Sequence, residues 1–231
     1  MFGIYLFSIG LFAIIFQIHK YVLENKIINF SRYWEAKDEN ERLYRMSGLV
    51  SNIHHLISIP CIFYFFMFPN PEVCQDTNRW AFFNNDQCLI AVDNRMVYLS
   101  FFAAGYFTYD FIVYYIVSKD MNGRTIMIAH HTFAIGSILL GLMGGYHLIG
   151  IIMLSLLMEF SSIFLNLRNF IKKEEYGKCI PLLILASFVL GYTIFRVILL
   201  PYTFLIILKG CFIVWHELNI FRKFCFVVSI T

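Results

Sequence analysis

Residues 46–68 read MSGLVSNIHHLISIPCIFYFFMF, a run without a single Asp, Glu, Lys or Arg. At ~1.5 Å rise per residue a helix of this length covers the roughly 30 Å hydrocarbon core of a bilayer. Within the run, Ser51, His54, His55 and Ser58 recur at i, i+3, i+4 and i+7, so four polar side chains share one helical face. Hydrocarbon offers no hydrogen-bond partner, so a spanning helix with such a stripe turns it inward, toward other helices or a ligand. The stretch therefore predicts an all-α polytopic membrane protein whose interior is partly polar.

The rest of the chain agrees. Over 231 residues, 59% are hydrophobic and 14% charged, with a mean hydropathy of +0.69; soluble domains carry about 25% charged residues. Seven apolar runs are near spanning length, at about residues 2–18, 46–68, 96–117, 126–143, 147–167, 180–200 and 203–220. The fourth and fifth meet at Gly144 and Gly145 and the last two at Pro201, which predicts two tight helical hairpins. The first run has neither a basic leader nor a small-residue cleavage site and reads as a retained anchor.

Fourteen of the eighteen Lys and Arg residues fall in alternate connections and in the C-terminal tail. Cytosolic loops carry the excess of basic residues, so this alternation predicts a lumenal or external N-terminus and a cytosolic C-terminus. The net charge of +3 then follows from topology and implies no nucleic-acid partner. The connection Asn25 to Arg45 mixes both signs and predicts a helix on the cytosolic surface. In the external loop 69–94, Cys74 and Cys88 stand on the oxidising side, where they form a disulfide or remain two thiols.

Ionisable groups inside spans are costly, about 2.5–3.5 kcal/mol each on insertion scales, and so mark function. The predicted topology puts His54 and His55, Asp110, His130 and His131, and Glu159 on four different helices. All lie in one layer roughly 6–14 Å below the cytosolic boundary at ~1.5 Å per residue. Glu159, Ser162 and Asn166 share a face at i, i+3 and i+7, with Arg168 at the interface. Tyr106 and Tyr114 flank Asp110 by one turn and offer it phenolic donors. The bland reading is that these groups only tie helices together, at about 0.6 kcal/mol per contact. Arg196, in the external half, reads as paired with backbone carbonyls. Adjacent helical residues diverge by about 100°, so His130 and His131 cannot chelate one ion, and no metal or cofactor is expected. An imidazole with an ordinary pKa of about 6.5 is suited to accept a proton or an acyl group, with Asp110 or Glu159 orienting it.

The ordered fragments SNIHH (51–55), YFTYDF (106–111), HH (130–131), EFSSIFLNLR (159–168) and FRVILLP (195–201) resemble the TLC domain. That family includes ceramide synthases, the translocating-chain-associating membrane protein and a neuronal ceroid lipofuscinosis protein. The resemblance implies a six-helix membrane barrel over residues 46–225, preceded by an anchor helix and cytosolic linker (1–45) and followed by a short tail (226–231). It is most similar to the small TLC-domain-containing proteins of membrane lipid homeostasis, usually in the endoplasmic reticulum. The ceramide synthases follow their histidine pair with an HDxxD motif, which this sequence lacks, offering Glu159 instead.

Two functions are expected from this. The first is binding or regulation of a membrane lipid, with Ser51, His54, His55, Ser162, Asn166, Arg168 and Arg196 as lipid contacts. The alternative is a ceramide-synthase-like transfer of an acyl group from acyl-CoA to a sphingoid base, with His130, His131, Asp110 and Glu159 as the catalytic set. The tail carries no retention signal that would select one endomembrane.

Overall fold

The computed structural model describes residues 1–25, 27, 35–36, 38–76, 85–117, 124–143, 149–171, 177–215 and 223. In that part the backbone is helical throughout its regular structure. The elements are α1 (Phe2–Glu24), α2 (Glu39–Met67), a short α3 (Asp86–Ile90), α4 (Asn94–Ile112), α5 (Arg124–Met143), α6 (Ile149–Leu156), α7 (Phe160–Arg168), α8 (Cys179–Tyr192) and α9 (Leu199–Val214). A π-helical turn, Val113–Val117, extends α4; a 3-10 turn, Leu157–Glu159, joins α6 to α7; and a second π segment, Thr193–Ile198, joins α8 to α9.

Among the described residues, five helical segments are long and apolar enough to cross a membrane: Phe2–Glu24, Glu39–Met67, Asn94–Ile116, Arg124–Met143 and Cys179–Ile206. The first four predicted spans fall on the first four of these. The fifth corresponds to α6–α7, helical from Ile149 to Arg168 but tightened in the middle. The predicted hairpin at Pro201 is corrected: the helix continues through it, and predicted spans six and seven join in one unbroken helical segment as far as Val214. Proline removes one N–H and crowds the carbonyl four residues earlier. Here the wider π winding directly before it relieves that conflict, as irregular turns do around prolines in apolar helices. Pro60 is likewise accommodated inside α2. Gly144 and Gly145, the other predicted hairpin, lie outside the described residues.

The surface helix expected before the second span is corrected for Glu39–Arg45, which form the first turns of α2 itself. Asp38 caps them by accepting from the Glu41 N–H at 2.8 Å, and Arg45 pairs with Glu41 at 2.6 Å. Most of the connection before Asp38 lies outside the described residues.

Burial ranks the helices. Along their most apolar stretches, two-thirds of α4 (67%) and half of α2 (50%) are buried, against 17% for α1 and 11% for Cys179–Ile206. Thus α2 and α4 are the inner helices. Around them α2 packs on α4, α4 on α5, α5 on α6, and α6 and α7 back on α2, closing a four-helix circuit, while α8 lies outside against α7. α1 packs along α4: Ser8 donates to the Phe102 carbonyl at 2.7 Å, and Tyr5 bonds Thr108 at 3.0 Å. Gly105 permits this approach, since a Cβ there would lie 2.6 Å from the Ser8 Cβ.

One end of the bundle is tied by covalent and ionic links. Cys74 and Cys88 form a buried disulfide. Asp93 caps α4 and binds the Arg95 guanidinium at 2.6 Å, while Arg95 donates to the Phe68 carbonyl at the end of α2.

Candidate functional site

Four helices bring the predicted polar residues to one level, arranged around two carboxylates. Asp110, on α4, is buried between α2 and α5. His131 Nε2 lies 2.9 Å from its Oδ2, and Ser47 donates to its Oδ1 at 2.5 Å. His131 and Asp110 are each only 2% exposed. The Tyr114 ring stacks on His131 at 5.5 Å between centroids, and Phe107 covers another side at 5.8 Å. Facing a carboxylate at this distance, the imidazole donates its Nε2 proton, and that nitrogen is consumed by the contact. The centre is closed to solvent by these rings.

Glu159 forms the second centre, where the 3-10 turn opens into α7. Ser162 donates to its Oε2 at 2.8 Å. Around it stand His130 Nε2 at 3.6 Å, His55 Nε2 at 3.7 Å and Arg196 Nη2 at 3.8 Å, all beyond ordinary hydrogen-bond length. Arg196 is held in place by its Nε on the Met158 carbonyl and its Nη2 on Ser162, both at 3.3 Å. His55 is 2% exposed, and neither ring nitrogen has a hydrogen bond. The His130 side chain is 43% exposed. At these separations only the Ser162 bond to Glu159 is at full hydrogen-bond length.

The two adjacent histidine pairs are thus divided. Along α5, helical phase sends His131 to Asp110 and His130 to Glu159. Along α2, it sends His55 to Glu159 and His54 away from both. His54 stacks on Tyr106 at 4.0 Å with the rings 11° apart, touches Phe12, Phe102 and Phe107, and meets Ser58 at 3.1 Å. It belongs to an aromatic core completed by Phe12 of α1, not to the carboxylate layer. The expectation that His54 shares the layer with His130 and His131 is corrected accordingly.

Two further expectations shift. Tyr106 and Tyr114 do not supply Asp110 with its donors; they stack on His54 and His131, and Ser47 takes the donor role. Ser51 lies beside the Tyr106 hydroxyl. Ser47 stands at i−4 from Ser51 on the same stripe, so extending the α2 periodicity by one turn finds it. Asn166 does not join Glu159: its amide donates to Asn52 at 3.0 Å, beside Gly48, tying α7 to α2. Asn52 falls off the stripe and has no sequence signal of this kind. Arg168 is exposed in the last turn of α7.

Chemically, His131 is a positioned, buried imidazole whose Nε2 is engaged, whereas His130 presents Nε2 beside a carboxylate with half its surface open. Among the described residues no group of three or more His, Cys, Asp or Glu is arranged to hold a metal ion.

The family model of the TLC domain matches residues 46–230 of the chain, well over half its length. No curated protein and no solved structure matches it significantly.

Proposed function

The chain belongs to the TLC-domain family, and from that premise we propose that it is a multi-pass endomembrane protein of lipid homeostasis that binds or regulates a lipid through the Glu159 centre. The observation that carries this is His55, buried in a membrane span with both ring nitrogens unbonded and 3.7 Å from Glu159. A buried polar group left without a partner costs about 1–3 kcal/mol. Together with His130 and Arg196 at similar distances, it frames a place for the polar end of a membrane lipid. Asp110, Ser47 and His131 form the rigid wall behind that place.

The endoplasmic reticulum and a six-helix barrel fit this reading by family resemblance. The orientation with the N-terminus lumenal is supported by the disulfide Cys74–Cys88, which needs an oxidising compartment. A cytosolic C-terminus requires the chain to turn back beyond Val214, in residues outside those described.

The second reading, acyl transfer from acyl-CoA to a sphingoid base, is favoured by the half-open Nε2 of His130 beside Glu159. There His130 is the base or acyl acceptor and Glu159 its orienting carboxylate, with His131 and Asp110 as positioning residues.

One experiment separates the readings. The purified protein, its His130→Ala variant and its Glu159→Gln variant are analysed by mass spectrometry for co-purifying lipid, then incubated with acyl-CoA and sphingoid base. Lipid that co-purifies with the wild type and is lost from Glu159→Gln, without turnover, is the expected result. New amide product, absent in His130→Ala, would establish the transferase instead; neither lipid nor product would sink both.

A further inference from the structure

Beside the Glu159 centre lies a cleft of about 310 Å³, at the low end of ligand-pocket sizes, lined by Phe63, Phe66, Leu157, Phe195, Ile198 and Tyr202 among others. We propose that this cleft is a lateral subsite for one hydrocarbon chain of a bilayer lipid. The chain enters between α2 and the Thr193–Ile198 π segment and brings an uncharged hydroxyl- or amide-bearing head to Glu159. The proposal rests on the reading of Glu159 as a headgroup site and adds to it the route and the chemical class of the lipid.

The cleft has a closed inner wall and an open mouth. Phe66 and Leu157 are 5% and 4% exposed, whereas Phe63 and Ile198 at the rim are 43% and 63% exposed. The rim belongs to segments long and apolar enough to cross a membrane, and within such a span the mouth opens on lipid chains. The fluid that reaches an apolar cleft there is acyl chain, and leaving the cleft empty forfeits dispersion contacts along every wall.

Two short segments join this cleft to the polar centre. In the first, Leu157 lines the cleft, the Met158 carbonyl receives Arg196, and Glu159 carries the carboxylate. In the second, Phe195 lines the cleft and the next residue, Arg196, reaches Ser162 and Glu159. On α2, Phe63 follows His55 by eight residues, or about 12 Å of helix at ~1.5 Å per residue. A single-chain amphiphile therefore lies with its tail toward the disulfide end and its head at Glu159.

Charge selects the head. Glu159 and Arg196 carry opposite charges 3.8 Å apart and offset one another. An ionic head would bring an uncompensated charge into the span. A hydroxyl or amide can donate to Glu159 or to an open His55 nitrogen and accept from Arg196.

The test is photo-cross-linking of the full-length protein in phosphatidylcholine nanodiscs, using a monoacylglycerol with a diazirine in its chain and mapping the modified peptides. Expected are adducts at Phe63, Phe195 or Ile198, suppressed by unlabelled monoacylglycerol but not by an equal concentration of fatty acid anion. Ile198→Trp, at the exposed mouth, should lower them about tenfold, equivalent to ~1.4 kcal/mol, while Ile198→Leu should keep them. Equal competition by the fatty acid would overturn the uncharged head. Adducts confined to the outer faces of α1 or α5, with co-purifying lipid still lost in Glu159→Gln, would overturn the cleft and leave the headgroup reading standing. Adducts that nothing competes away, with lipid content unchanged in Glu159→Gln, would remove both.

Discussion

Asp110 and Glu159 sit at the same level of one helical bundle, each faced by a histidine of α5 and a residue of α2, yet they are built for different ends. Asp110 is saturated: a serine and an imidazole meet its two oxygens at hydrogen-bond length, and aromatic rings seal the group. Glu159 keeps one short bond, to Ser162, and holds two imidazoles and a guanidinium at 3.6–3.8 Å. A carboxylate with every partner in place is a structural joint. One whose partners stand back is the centre to which the proposed lipid head is assigned. The contrast also explains the division of the histidines, since His131 spends its Nε2 on the joint and His130 keeps its own within reach of the membrane-facing side.

The largest effect is expected at the closed centre. Asp110→Ala leaves the Ser47 hydroxyl and the His131 Nε2 buried without their acceptor, and breaking a buried pair in this way costs about 3–5 kcal/mol. Thermal unfolding in detergent should show a large drop in Tm; a variant as stable as wild type would mean that Asp110 is not the joint described here. Next comes Gly105→Val, which forces a side chain into Ser8 and lifts α1 from α4. Overpacking of this kind costs about 1–3 kcal/mol, and lipid retention at Glu159 should survive it in milder detergent. Loss of lipid without loss of stability would show that α1 takes part in binding.

At the open centre the order of readouts reverses. Glu159→Gln keeps the shape and the Ser162 contact, so Tm should move little, whereas bound lipid should fall about tenfold, the scale of a charge-assisted hydrogen bond of ~1.5 kcal/mol. A fall in Tm comparable to that of Asp110→Ala would erase the distinction between the two carboxylates. The smallest effect is expected at His54→Phe, whose aromatic surroundings accept a ring with a stability change of about 1 kcal/mol or less. The neighbouring His55→Phe should lose lipid binding while remaining folded. Equal outcomes for these two adjacent histidines, measured by lipid content and Tm together, would contradict their assignment to different environments.

Much of this arrangement was legible in the amino-acid sequence. Periodicity along 46–68 announced an inward polar stripe, and span counting placed His54, His55, Asp110, His130, His131 and Glu159 in one layer; the structure gathers all of these but His54 around the two carboxylates. The stripe also held Ser47, one turn before Ser51, had it been followed to the end of the helix. Asn52 was not legible, because a single off-stripe amide gains meaning only when Asn166 of another helix faces it.

What the sequence by itself determined is the helical, membrane-crossing class and the family, because these depend on local hydropathy and on residue order. Which carboxylate each histidine of a pair serves was decided only by tertiary structure. Helical phase separates neighbours by about 100°, but it cannot say which helices occupy the two directions. The passage through Pro201 was decided at the same level. Proline's local preference is to end a helix, and it yields here because the π turns before it absorb the missing N–H and packing on α6 carries the helix onward.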